Sequence, residues 1–124
     1  MLKRLDIVSI RVRDWKAAVE WYRDKLGLKP LGLHDHPWCM MALPEGDTVL
    51  ALDGTNPVLG ASNCIPSIQC EDLPSTLVLL KERGVEFTRE LEEDEGYRMA
   101  TLRDCEGNLI NVYEYFSGKT PVSP

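Results

Sequence analysis

The chain has 124 residues, 44% of them apolar and 27% charged, the proportions of a folded domain and not of a disordered one. Fourteen Lys and Arg against twenty Asp and Glu leave a net charge of −6, which argues against general nucleic-acid or anionic-membrane binding, since both need a basic face. No apolar run approaches the roughly 20 residues that span a bilayer, and Met1-Leu2-Lys3-Arg4-Leu5-Asp6 has none of the features of a signal peptide, so a cytoplasmic protein is expected.

From about Leu5 to Val12, Ile7, Ser9 and Arg11 alternate with Val8, Ile10 and Val12, the period of a strand with one apolar and one mixed face. Asp14 is placed to cap a helix, Trp15, Ala18, Val19, Tyr22 and Leu26 follow at helical spacing, and Gly27 suits the left-handed stop. Two short strands are expected at about Lys29 to Leu33 and Trp38 to Leu43, joined by the turn His34-Asp35-His36-Pro37. A further strand spans about Thr48 to Leu52. After the linker-like stretch 54–63 the order repeats: a strand at Cys64 to Cys70, then a helix capped by Asp72 with Pro74 in its first turn and Gly84 after its end. Strands follow at Val85 to Leu91, Tyr97 to Arg103 and Leu109 to Tyr115, with Glu92-Glu93-Asp94-Glu95-Gly96 read as an acidic turn and Asp104-Cys105-Glu106-Gly107-Asn108 as a second turn.

The capping aspartates recur about 58 residues apart, which marks a duplication. Two βαβββ modules, about 5–53 and 64–116, are too short to bury both sheet faces separately, so one domain over 1–124 with a frayed tail at 117–124 is expected. Cys39, Cys64, Cys70 and Cys105 lack CxxC spacing and read as buried, reduced thiols.

The run Ile7-Val8-Ser9-Ile10-Arg11-Val12-Arg13-Asp14 with Trp21-Tyr22 and Leu26-Gly27-Leu28 resembles the opening of the vicinal oxygen chelate superfamily. That superfamily comprises glyoxalase I, bleomycin and fosfomycin resistance proteins and extradiol dioxygenases. Gly96-Tyr97-Arg98-Met99-Ala100 and Asp104-Cys105-Glu106-Gly107-Asn108-Leu109-Ile110 resemble its closing signature. The resemblance implies an α+β fold of two tandem βαβββ modules forming a cupped, partly open β-barrel with helices outside. It also implies that metal-dependent members bind one divalent ion through four inward His, Gln or Glu side chains, at positions that correspond here to Ile7, Ala51, Ile65 and Asn111. Three of these are hydrocarbon and offer no lone pair, so no cofactor is expected. A member without the usual metal is the first reading: a protein that holds a small organic molecule, with drugs and secondary metabolites as candidates. The alternative is a divalent-metal-dependent lyase, isomerase or dioxygenase with unorthodox ligands, or a metal-free isomerase using Arg11 with a wall acid or base such as Asp53 or Glu114.

Ser9, Arg11, Trp38, Ser67, Gln69, Tyr97, Arg98, Asn111 and Tyr113 are the candidate ligand-binding residues. Arg11 shares a face with Ile7 and could anchor an anion through its guanidinium fork, which opposes the cationic ligand that the net charge alone would suit. Ser9, Ser67 and Gln69 could donate or accept hydrogen bonds, or simply hold water. Trp38, Tyr97 and Tyr113 could stack on a flat ligand or build the core. Arg98 either lines the entrance or pairs with Asp104 or the acidic turn. His34 and His36 form a possible His-x-His pair, more simply read as a surface turn. The resemblance also suggests a homodimer.

Overall fold

The computed structural model describes residues 1–32, 37–55, 64–94 and 96–116. The expected turn at His34 and His36, most of the linker and the tail 117–124 lie outside the described residues. The order is β1 (Ile7–Arg11), α1 (Trp15–Leu26), β2 (Lys29–Leu31), β3 (Trp38–Ala42), β4 (Val49–Asp53), β5 (Ser67–Gln69), α2 (Leu73–Glu82), β6 (Glu86–Asp94), β7 (Tyr97–Arg103) and β8 (Leu109–Tyr115). The fold is α+β, two four-stranded mixed sheets and two helices. Strand order is β1-β4-β3-β2 in one sheet and β5-β8-β7-β6 in the other, so both βαβββ modules have the same topology. In each, the first and last strands pair in parallel and the remaining pairs are antiparallel.

The chain forms two compact units. The first comprises Met1 to Cys64 with Cys105–Asn108, the second Ile65–Asp104 with the residues from Leu109 onward. In the first, β1 alternates as its sequence requires: Ile10 is fully buried while Ile7, Ser9 and Arg11 are exposed. Helix α1 starts where the Asp14 side chain accepts from Ala17 N–H at 3.1 Å. It stops at Gly27, whose φ of 75° is the left-handed conformation that a Cβ would strain. Its buried residues are Ala18, Val19 and Tyr22, the stripe read from the sequence, and it lies against β2, β3 and β4.

The turn Cys105–Asn108 completes this unit. Glu106 accepts from the backbone N–H groups of Arg13 (2.6 Å) and Asp14 (2.9 Å), one with each carboxylate oxygen. Asn108 Nδ2 donates to the Arg11 carbonyl at 3.3 Å. A segment distant in sequence thus supplies the acceptors where β1 leads into α1, satisfying donors that precede the first helical turn.

In the second unit, Asp72 caps α2 by accepting from Ser75 N–H at 3.3 Å. Leu73, Leu77 and Leu80 form its buried side, and α2 lies against β6 and β8. One expectation is corrected here. Glu92, Glu93 and Asp94 are not turn residues; β6 continues through them, pairing Glu92 with Met99, Glu93 with Arg98 and Asp94 with Tyr97. Cross-strand attraction between Glu93 and Arg98 favours this extension. Register shifts between Phe87 and Glu92 accommodate the longer strand. The cysteine expectation is also corrected in part: all four are free, but Cys64 and Cys105 are exposed. Burial pushes the Cys39 and Cys70 thiols up, so both stay protonated near neutral pH and neither is an activated nucleophile.

Candidate functional site

In each unit the helix covers one sheet face, and the functional candidates divide according to which face they occupy. In the first sheet the uncovered face starts with Ile7, Ser9 and Arg11. Register carries it to Val49, Ala51 and Asp53 on β4, and to Trp38 and Met40 on β3. Arg11 stands beside Asp53, and Asp53 beside Trp38. The Asp53 carboxylate is already engaged, accepting from Thr55 N–H at 2.8 Å and from Thr55 Oγ1 at 2.5 Å. This Asx turn occupies the carboxylate proposed above as a wall acid or base. Arg11 is exposed, and its guanidinium makes no hydrogen bond or ion pair among the described residues. Trp38 is half-buried.

In the second sheet, Ser67 and Gln69 on β5 stand beside Asn111 and Tyr113 on β8. Those in turn face Thr101 and Met99 on β7, and Tyr115 faces Tyr97. The face has two tiers. The lower is polar: buried Thr101 donates from Oγ1 to Asn111 Oδ1 at 2.7 Å, and Asn111 Nδ2 donates to Ser67 Oγ at 3.4 Å. The upper is aromatic: Tyr113 meets Tyr115 edge-to-face with centroids 5.3 Å apart, and Tyr97 tilts against Tyr115 at 6.0 Å. Burial, and secondarily the neighbouring Tyr115, push the Tyr113 phenol above its ordinary range, so it remains a hydrogen-bond donor at neutral pH.

Eight of the nine candidates therefore fall into two same-face groups: Ser9 and Arg11, with Trp38 across β4, in the first sheet, and Ser67, Gln69, Asn111 and Tyr113 in the second, where Tyr97 joins them through Tyr115. Arg98 does not. It pairs in register with Glu114 on the opposite face, that of Ala100 and Val112. Its partners are Glu93 at 3.1 Å and Glu114 at 3.8 Å, and its guanidinium lies 4.8 Å from the Phe116 ring centroid. Of the two roles expected for Arg98, pairing with the acidic stretch is the one that these contacts show. Glu114 is likewise not a wall acid: its carboxylate accepts from Leu73 N–H at 2.8 Å, at the start of α2. Thr101, Tyr115 and Met40 were missed, although Tyr115 could be read from its period-two relation to Tyr113.

The family's metal chemistry does not fit these residues. Ile7 and Ile65 are exposed hydrocarbon and Ala51 is a buried methyl. Asn111 has already committed its amide oxygen to Thr101. Among the described residues, no three His, Cys, Asp or Glu side chains come together in a way that could hold a metal ion. No helix among the described residues is long and apolar enough to cross a membrane.

Comparison with known proteins gives a consistent relationship. The family model Glyoxalase/Bleomycin resistance protein/Dioxygenase superfamily matches residues 4–112. The protein YetH of Bacillus subtilis (strain 168) is 27% identical over 122 residues, covering 92% of this chain and 100% of YetH. Among solved structures, TnmS3, an antibiotic binding protein from Streptomyces sp. CB03234, has a TM-score of 0.78 at 23% identity, covering 92% of this chain and 97% of TnmS3. A superfamily member from Sphaerobacter thermophilus DSM 20745 has a TM-score of 0.74 at 26% identity, covering 91% of this chain and 98% of its own. With the duplicated βαβββ topology, the match over nearly its whole length establishes that the chain belongs to the Glyoxalase/Bleomycin resistance protein/Dioxygenase superfamily.

Proposed function

We propose that this protein binds a small organic molecule on the uncovered faces of its sheets without the divalent ion used by catalytic members of the superfamily. The observation that carries this reading is hydrocarbon at three of the four metal-ligand positions, Ile7, Ala51 and Ile65, with the fourth, Asn111, bonded through its oxygen to Thr101. Hydrocarbon cannot ligate a cation, and one neutral amide does not replace a His and carboxylate set. Each face by itself offers aromatic surface with a few polar groups, as a small-molecule site needs: Trp38 with Ser9 and Arg11 in the first sheet, and Tyr97 and Tyr113 with Ser67 and Gln69 in the second. The similarity to TnmS3, an antibiotic binding protein, supports drugs and secondary metabolites as the ligand class. Arg11 on an open face favours a ligand with an anionic or strongly electronegative group over a purely cationic one.

The test has two arms. Purified protein equilibrated with Zn, Mn, Ni or Fe is expected to retain well under one equivalent after gel filtration. A panel of antibiotics and aromatic metabolites, screened by thermal shift in EDTA, is expected to yield stabilising ligands whose effect is the same without EDTA. Stoichiometric, tightly held metal, or binding abolished by EDTA, would overturn the reading.

The superfamily relationship and the small size of the chain lead us to read the protein as a cytoplasmic homodimer. Sedimentation should give about twice the 14.0 kDa chain mass, and a monomer at micromolar concentration would refute the dimer without touching the ligand reading.

A further inference from the structure

Asn111 occupies a position where metal-dependent relatives place a metal ligand, yet its amide is turned the wrong way for a cation. Thr101 is buried, with 5% of its surface exposed, and its hydroxyl needs an acceptor. It donates to Asn111 Oδ1 at 2.7 Å. In this arrangement the amide oxygen faces Thr101, and the nitrogen, which can only donate, faces Ser67. Asn111 Nδ2 consequently points away from Thr101. One of its N–H groups reaches Ser67 Oγ at a long 3.4 Å. Separately, the Asn111 backbone N–H donates to the Pro66 carbonyl at 2.9 Å, which holds β8 against the start of β5. Two residues further along β8, about 7 Å at the rise of a strand, the same face carries Tyr113 and, beyond it, Tyr115 packed with Tyr97.

From this arrangement we propose that the β5–β8–β7 face is a donor subsite for an uncharged carbonyl oxygen borne on a flat aromatic ligand. The carbonyl accepts from Asn111 Nδ2, and the ring system extends about 7 Å along the strand to lie against the tyrosines. Two or three fused rings span that distance. The positive end of the amide dipole disfavours a divalent cation at the position where relatives bind one, so a single hydrogen bond from Thr101 converts a metal-ligand position into a neutral-acceptor position. This proposal rests on the reading that the open face binds a small organic molecule, and adds the chemistry of that molecule.

The test uses 9-fluorenone and fluorene, which share a tricyclic skeleton and differ by one carbonyl. With the 15N-labelled full chain, fluorenone is expected to shift an Asn111 side-chain amide resonance, assigned by its loss in Asn111→Asp, whereas fluorene leaves it in place. Fluorenone should bind about three- to tenfold more tightly, the worth of one neutral hydrogen bond. Thr101→Val removes the hydroxyl that orients the amide while keeping the side-chain shape. It should bring fluorenone affinity down to that of fluorene and leave fluorene affinity unchanged, a selective effect that general loosening would not produce. If Thr101→Val does not fold, the wild-type amide shift and the affinity ratio decide the matter. Equal affinities with an unmoved Asn111 amide would overturn the carbonyl subsite while leaving small-molecule binding intact. Failure of both probes, where the antibiotic and metabolite panel yields ligands, would overturn the subsite alone; failure of the panel as well would overturn both.

Discussion

Replacing Tyr22 by Ala is expected to lower the unfolding free energy by about 3–5 kcal/mol, measured by urea denaturation. Tyr22 is fully buried and heads the largest such side chains among the described residues. Its ring meets Trp21 edge-to-face at 5.2 Å. Truncation to Ala removes a whole ring from a packed layer, so the loss combines transfer of apolar surface with a residual cavity. The expected damage reaches the uncovered face, because α1 is the backing for β3 and β4, which carry Trp38 and Ala51. Tyr22→Phe should be much milder, since it keeps the ring. A loss under about 1 kcal/mol for Tyr22→Ala would mean that the α1 stripe does not hold the sheet.

Replacing Glu106 by Ala comes next, at about 2 kcal/mol. One carboxylate accepts from both Arg13 N–H and Asp14 N–H, beside the positive end of the α1 dipole. Exposure of Glu106 to solvent holds the loss near this figure, because water can replace part of what is removed. Hydrogen exchange gives a sharper readout than stability: the Arg13 and Asp14 amides should exchange faster in Glu106→Ala, while the Ala17 amide, held by Asp14 Oδ1, keeps its protection. Glu106→Gln, with one remaining acceptor oxygen, should fall between. Unchanged exchange at Arg13 and Asp14 would show that the bonds are not formed in solution.

Local rules made much of this architecture legible. Period-two alternation between strong turn signals gave β7 and β8 with the boundaries that the structure has, and the two capping aspartates with their following helices needed nothing beyond one turn of chain. Features set by distant partners were not legible in this way. The Glu92 to Asp94 stretch looks like a turn because three acidic residues in a row repel, and its partners as a strand, Arg98 among them, lie across the hairpin. Glu106 gives no local sign that it caps a helix more than ninety positions earlier. Arg98 is a different case, because alternation already separates it from Tyr97: adjacent residues of one strand cannot both face the same side. In the candidate site, Ser9 with Arg11 and Asn111 with Tyr113 followed from that same alternation. The direction of the Asn111 amide did not, since it depends on a hydroxyl from a neighbouring strand.

The Cys105–Asn108 turn also bears on how this chain can change length. Turns between hairpin strands are ordinarily where insertions and deletions do least harm. Here the turn reverses through Gly107 at a φ of 86° and delivers Glu106 to two amides of the first unit and Asn108 to a carbonyl beside them. One residue gained or lost would move both side chains out of reach together. The loop that looks freest to vary is therefore bound to a fixed length, and a fragment ending at Cys64 would leave the start of α1 without the acceptor that closes it.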